Sequence, residues 1–145
     1  MSQKYIHCLR LHPAEDLKLE LLNYCKKNKI TAACILSAVG SLDKINLRLA
    51  NSDKVLSLTE KFEIVSATGT LSDSGCHIHI SAADNTGKVI GGHLLDQNRI
   101  FTTCELVILQ LENFEFKREL DPATGFNELK VYLTKSSAVR PRSFK

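Results

Sequence analysis

Three of the five histidines, His77, His79 and His93, fall within residues 75–94, Gly-Cys-His-Ile-His-Ile-Ser-Ala-Ala-Asp-Asn-Thr-Gly-Lys-Val-Ile-Gly-Gly-His-Leu. Neutral imidazole is the commonest nitrogen ligand for zinc and other late first-row divalent ions. Three protein ligands with one open position is the usual catalytic arrangement. The segment is therefore a candidate metal site. The competing reading is that histidines on a strand merely satisfy polar positions.

What decides between them is the geometry of the strands. Side chains alternate faces along a strand, so His77 and His79 project from one face with Ser81, and Cys76, Ile78 and Ile80 from the other. Asp84-Asn85-Thr86-Gly87 joins the two histidine-bearing runs as a hairpin loop. If Ala83 pairs with Lys88 across a four-residue loop, His79 faces Gly92 and His93 falls opposite Ile78, on the wrong face. One residue more or fewer in the pairing reverses that outcome, and Gly91-Gly92 is where a bulge would form most easily.

The elements that must carry this hairpin can be read in order. Tyr5–Leu11 is a strand stopped by His12-Pro13, and Pro13 opens a helix with Glu15 and Asp16 in its first turn and Lys26, Lys27 and Lys29 at its end. Leu17, Leu21, Tyr24 and Cys25 form its core-facing stripe. Ile30–Val39 reads as a buried strand ending at Gly40-Ser41. Leu42–Ala50 is a further strand with Ile45, Leu47 and Leu49 on one face and Lys44, Asn46 and Arg48 on the other. Val55–Leu58 is a short strand, and Phe62–Thr70 another that ends near the Asp73-Ser74-Gly75 turn. Ile100–Lys117 is a long β run, Asp121–Gly125 a loop, and Leu129–Leu133 a last strand.

This pattern predicts an α+β fold: a single domain with a mainly antiparallel β-sheet and one N-terminal α-helix packed on it. Residues 1–134 form the domain and residues 135–145 a basic flexible tail. Glu105, an unusual residue inside an apolar β run, is a candidate ligand or a group that orients a ligand histidine. An ordinary surface carboxylate is the alternative.

At 145 residues with 43% hydrophobic and 24% charged residues, the chain has the makings of one soluble domain. It contains no apolar run of membrane-spanning length. No secretory signal or lipidation address is evident, so a cytoplasmic location is expected, with a nuclear one as the alternative. Five cysteines without a Cys-x-x-Cys spacing suit reduced thiols serving as small apolar residues. Residues 135–145 carry four cations and no acid against a net charge of +3, which leaves the remainder at −1. A broad basic groove for nucleic acid is not indicated. The glycines match neither a Walker nor a dinucleotide fingerprint.

Lys61-Phe62-Glu63-Ile64-Val65-Ser66-Ala67-Thr68-Gly69, His77-Ile78-His79-Ile80-Ser81, Gly87-Lys88-Val89-Ile90-Gly91-Gly92-His93-Leu94 and Thr103-Cys104-Glu105-Leu106-Val107, with Pro13–Leu17 and Gly40-Ser41, resemble the plant-and-prokaryote-conserved (PPC) domain. The likeness runs from about Leu9 to Leu133. It implies a homotrimer, with the apolar strand of the second half at subunit contacts. It also implies structural kinship to acetolactate decarboxylase and to zinc-dependent ester hydrolases, which hold a metal through a His-x-His and a later histidine. On that pattern His77, His79 and His93 would bind a divalent metal, zinc foremost, and the chain would bind or transform a small carbonyl or ester compound as a lyase or hydrolase. Glu105 or Glu63 would serve as acid-base or supporting group.

The same resemblance brings a second function. Plant members join the domain to an AT-hook that enters the DNA minor groove, whereas this chain has only the fragment Arg140-Pro141-Arg142 of the hook's core. A non-enzymatic regulator contacting DNA or proteins through its tail is therefore the alternative to the metal-dependent reading.

Overall fold

The computed structural model describes residues 5–51 and 54–134, so the basic segment 135–145 lies outside the described residues. Among them are one helix and nine strands, with every strand pairing antiparallel. β1 (Ile6–Leu11) lies at one edge beside β7 (Arg99–Gln110), which pairs in turn with β2 (Ala33–Arg48). β4 (Phe62–Ser72), β5 (Gly75–Ala83) and β6 (Val89–Leu94) continue the sheet, and β3 (Val55–Leu58) pairs with the far end of β2.

The length of β2 is what closes the structure. Its first part pairs with β4 and β7, and its last residues pair with β6 through Leu47↔Leu94 and Arg48↔His93. The strands β2, β4, β5 and β6 thus form a closed hydrogen-bonded circuit, and His93 stands at its closing seam. Gly40-Ser41 does not end a strand as the sequence suggests: Gly40 lies inside β2, where a Cβ would collide with the carbonyl of Thr103 on β7. Glycine is needed there for close strand approach. The pairing with β7 shifts register just beyond it, at Gly40/Leu42 and Leu42/Lys44.

Two other boundaries differ from expectation. The helix α1 (Leu17–Lys27) begins four residues after Pro13, with Asp16 as its N-cap and Glu15 ahead of it. Asp16 Oδ1 accepts from Leu19 N at 2.9 Å, and its Oδ2 accepts from Gln97 N and Asn98 N at 2.5 and 3.1 Å. A capping carboxylate satisfies otherwise orphaned helix N–H groups, a stronger local demand than the fixed φ of proline. The long run from Ile100 is also divided, by a turn at 111–113 with Asn113 at φ 64, into β7 and β8 (Phe114–Leu120). Among the described strands β8 pairs only with β9 (Asn127–Leu133), forming a separate two-stranded ribbon.

The core lies between α1 and the sheet. Leu17, Leu21 and Cys25 of the helix join Ile45, Leu47, Ile78, Ile80, Leu94, Ile100, Leu106 and Ile108 in one buried cluster. Each fully buried aliphatic side chain contributes about 1.5–3 kcal/mol. Asn98, fully buried, ties the turn after β6 to β2: its Oδ1 accepts from Asn46 N at 2.8 Å and its Nδ2 donates to Leu95 O at 2.7 Å and Asn46 O at 3.1 Å. The turn that follows His93 is therefore fixed by both the helix start and β2. No helix among the described residues is long and apolar enough to cross a membrane.

Candidate metal centre

The hairpin β5–β6 pairs Ala83 with Val89, Ile80 with Gly92 and His79 with His93. The loop is one residue longer than the four-residue reading, spanning 84–88. Asp84 holds it: its Oδ1 accepts from Thr86 N, Thr86 Oγ1 and Lys88 N at 2.8, 2.6 and 3.0 Å. The reversal of face that a bulge at Gly91-Gly92 was expected to supply comes instead from this loop, since the pairing runs without a shift. Those glycines have another purpose. A Cβ at Gly91 would lie 2.8 Å from Ile80 O, and one at Gly92 2.8 Å from Arg48 O, so both allow neighbouring backbones to approach.

Residues opposite one another in an antiparallel pair share a face. His77 opposes Thr70, His79 opposes Thr68 and His93, and His93 opposes Arg48. One face of β5 and β6 therefore gathers the three imidazoles, while Ile78 and Ile80 point into the core. Ring centroids are separated by 4.9 Å for His77 and His79, 4.8 Å for His77 and His93, and 5.7 Å for His79 and His93.

The donor atoms suit a cation. One ligand nitrogen from each ring falls within 4.8 Å of the others, and the Nε2 atoms of His77 and His79 are 3.1 Å apart. Tetrahedral zinc, with Zn–N of 2.0–2.1 Å, places its nitrogens about 3.3 Å apart. Two facing lone pairs at this distance repel unless a proton or a metal lies between them. His93 Nδ1 is buried with no hydrogen-bond partner among the described residues, an exception to the usual pairing of buried polar atoms. Burial, then neighbouring Arg48, His77 and His79, pushes His93 down to about 4; burial, then His79 and Arg118, lowers His77. Both are thus neutral near pH 7, the protonation state that ligates metal.

The histidines line a hollow of ≈ 490 Å³ with Arg48, Leu49, Ala50, Gly91 and Gly92. On its other flank His77 and His93 share a second hollow of ≈ 530 Å³ with Arg48, Arg118 and Glu128. Glu105 is not brought to this place. It is exposed on β7 opposite Arg10 and Val39, and β7 pairs with neither histidine strand. Glu63, exposed on β4, borders a different cleft with Ser41 and Lys61. Arg48 was legible only as part of a polar strand face, and nothing in the sequence near Arg118 signals its approach to the histidines. All five cysteines are free. Burial raises Cys25 to about 11 and Cys104 to about 12, consistent with thiols packed as apolar groups.

An α+β domain built on an antiparallel sheet, with three imidazoles on one outer strand face, is the class that fold and site define. The chain belongs to the Plants and Prokaryotes Conserved (PCC) domain family, whose model matches residues 1–112. It is 40% identical over 126 residues to the bifunctional protein GlmU of Synechococcus, covering 87% of this chain and 20% of that one. The chain therefore spans about a fifth of the length of that relative. It is 26% identical over 98 residues to AT-hook motif nuclear-localized protein 13 of Arabidopsis thaliana, covering 59% of this chain and 22% of that protein.

Among solved structures, a hypothetical protein from Salmonella enterica superposes with a TM-score of 0.85 at 34% identity, covering 88% of this chain and 93% of that one. A metal-containing protein from Archaeoglobus fulgidus gives 0.75 at 29% identity, covering 86% and 92%. A Staphylococcus aureus protein similar to alpha-acetolactate decarboxylase shares the fold at a TM-score of 0.52 and 14% identity, covering 73% and 52%.

Proposed function

We propose that the chain holds a divalent metal ion, zinc foremost, through His77, His79 and His93, and binds or transforms a small carbonyl or ester compound beside it. The observation that carries this reading is the convergence of one nitrogen from each of three imidazoles to within 4.8 Å, in a cluster where the buried Nδ1 of His93 has no hydrogen-bond partner among the described residues. The metal-containing relative from Archaeoglobus fulgidus supports it. Bound there, such an ion would supply Lewis acidity toward a carbonyl or an activated water. The chain's own contribution is to present three imidazole nitrogens from two paired strands and to leave open hollows beside them. Exposed Ile6, Leu36, Val39 and Val65 on the outer sheet supply apolar surface for a homotrimer.

The test is elemental analysis of purified, untagged protein beside a His77→Ala/His79→Ala variant, with oligomeric state measured for both. About one metal per chain, absent from the variant while the assembly persists, is the expected result. Failure of the wild type to take up zinc would sink the proposal. The similarity to the AT-hook protein favours a second reading, DNA association through residues 135–145. That reading requires salt-dependent DNA affinity that disappears when those residues are removed.

A further inference from the structure

The cationic side chains around the histidines speak to the charge of the molecule that binds beside them, an inference that rests on the metal-dependent reading above. Arg48 lies directly opposite His93 across the β2–β6 pair, so the two side chains leave the same face. Arg118 arrives from the β8–β9 ribbon, and its Nη2 donates to Thr70 Oγ1 at 2.8 Å. Thr70 is the cross-strand partner of His77, which places the Arg118 guanidinium on the β4–β5 pair beside His77. Both arginines line the ≈ 530 Å³ hollow that His77 and His93 share.

Neither guanidinium is neutralised by an ion pair among the described residues. Among the described residues Glu128 is the only acid in that lining, and its Oε1 accepts a hydrogen bond from Thr124 Oγ1 at 3.1 Å. Two cations against one carboxylate leave the hollow with one positive charge in excess, before any metal is added. That excess, to which a bound divalent ion would add, favours an anionic ligand. Guanidinium groups recognise carboxylates in particular, because their planar N–H forks match the two carboxylate oxygens.

We propose that the ligand of this site is a small monocarboxylate carrying a carbonyl or ester group. Its carboxylate is held by Arg48 and Arg118, and its carbonyl end lies toward His77, His79 and His93. The arginines are binding residues that fix which end of the molecule meets the imidazoles.

Calorimetric titration of the zinc-loaded full chain with pyruvate and with its neutral counterpart pyruvamide tests this. One lost charge-assisted hydrogen bond weakens binding about tenfold or more, so pyruvate is expected to bind at least that much more tightly. In an Arg48→Gln/Arg118→Gln variant the two affinities should converge, and Arg48→Lys/Arg118→Lys should restore part of the preference. Equal affinities in the wild type, or a preference that survives the double glutamine variant, would overturn the proposal. Zinc content measured on the same samples separates the two readings. A chain that takes up no zinc overturns the metal centre, whereas a zinc-loaded chain indifferent to ligand charge overturns only the carboxylate site.

Discussion

His7 and His93 are both strand histidines with partly covered rings, yet their surroundings are opposite in kind. His7 Nδ1 meets Tyr24 Oη at 3.0 Å and its Nε2 meets Gln110 Oε1 at 3.0 Å, with the Tyr24 ring edge-on at 5.6 Å. A hydroxyl donates or accepts and an amide oxygen accepts, so a neutral imidazole between them is satisfied at both nitrogens. His93 has a buried nitrogen with no partner among the described residues, and its ring neighbours are two more imidazoles. The Nε2 atoms of His77 and His79 meet at 3.1 Å, a distance that one shared proton or a cation between them would satisfy. The first histidine is tied into the fold through both ring nitrogens; the second belongs to the candidate ligand set.

The sharpest way to break this contrast is to truncate each ring. His93→Ala should reduce zinc affinity on the order of a hundredfold or more, measured by competition with a chromogenic chelator. His7→Ala should leave zinc binding unchanged and cost about 1–3 kcal/mol in urea unfolding, because it strands the hydrogen-bonding groups of Tyr24 and Gln110. Equal zinc affinity in the two variants would erase the distinction.

A smaller effect is expected from the backbone that positions His93. Gly92→Ala puts a Cβ 2.8 Å from the Arg48 carbonyl, where β6 closes the circuit onto β2. Overpacking of this kind costs about 1–3 kcal/mol. Zinc affinity should fall with it, since the next residue carries the ligand. If the variant unfolds and binds zinc like the wild type, the seam does not set the site's geometry.

The smallest effect concerns pH. Folding holds His93 down to about 4 and His77 below its ordinary value, whereas the unfolded chain takes up these protons near 6.5. Between those limits the unfolded state binds more protons, so stability of the metal-free protein falls as pH drops from 7 toward 4. Urea midpoints at pH 7 and pH 5 should show that fall, and His93→Gln should lessen it. An unchanged slope in the variant would mean that the His93 ring does not resist protonation.

How much of this was legible in the chain depends on the range of the interaction involved. Alternation fixed His77 and His79 on one face, and the core stripe of Leu17, Leu21 and Cys25 followed from helical spacing, because both rest on the period of a single element. Boundaries set by distant partners were not legible. Asp16 caps the helix while also accepting from Gln97 and Asn98, and Gly40 continues β2 because β7 approaches it. Neither partner is near in sequence.

The sequence by itself therefore determined the α+β class, the hairpin and the identity of the three imidazoles as a candidate set, since residue type and strand period are local properties. Only the tertiary structure decided that His93 joins the other two. That outcome depends on a five-residue loop tied by Asp84 and on a seam where β6 meets β2 through Gly92 and Arg48. It likewise left Glu105 apart from the histidines and brought Arg118 to them from a separate ribbon. A one-residue change in register turns a side chain to the other face, and register is set by pairings that no single strand contains.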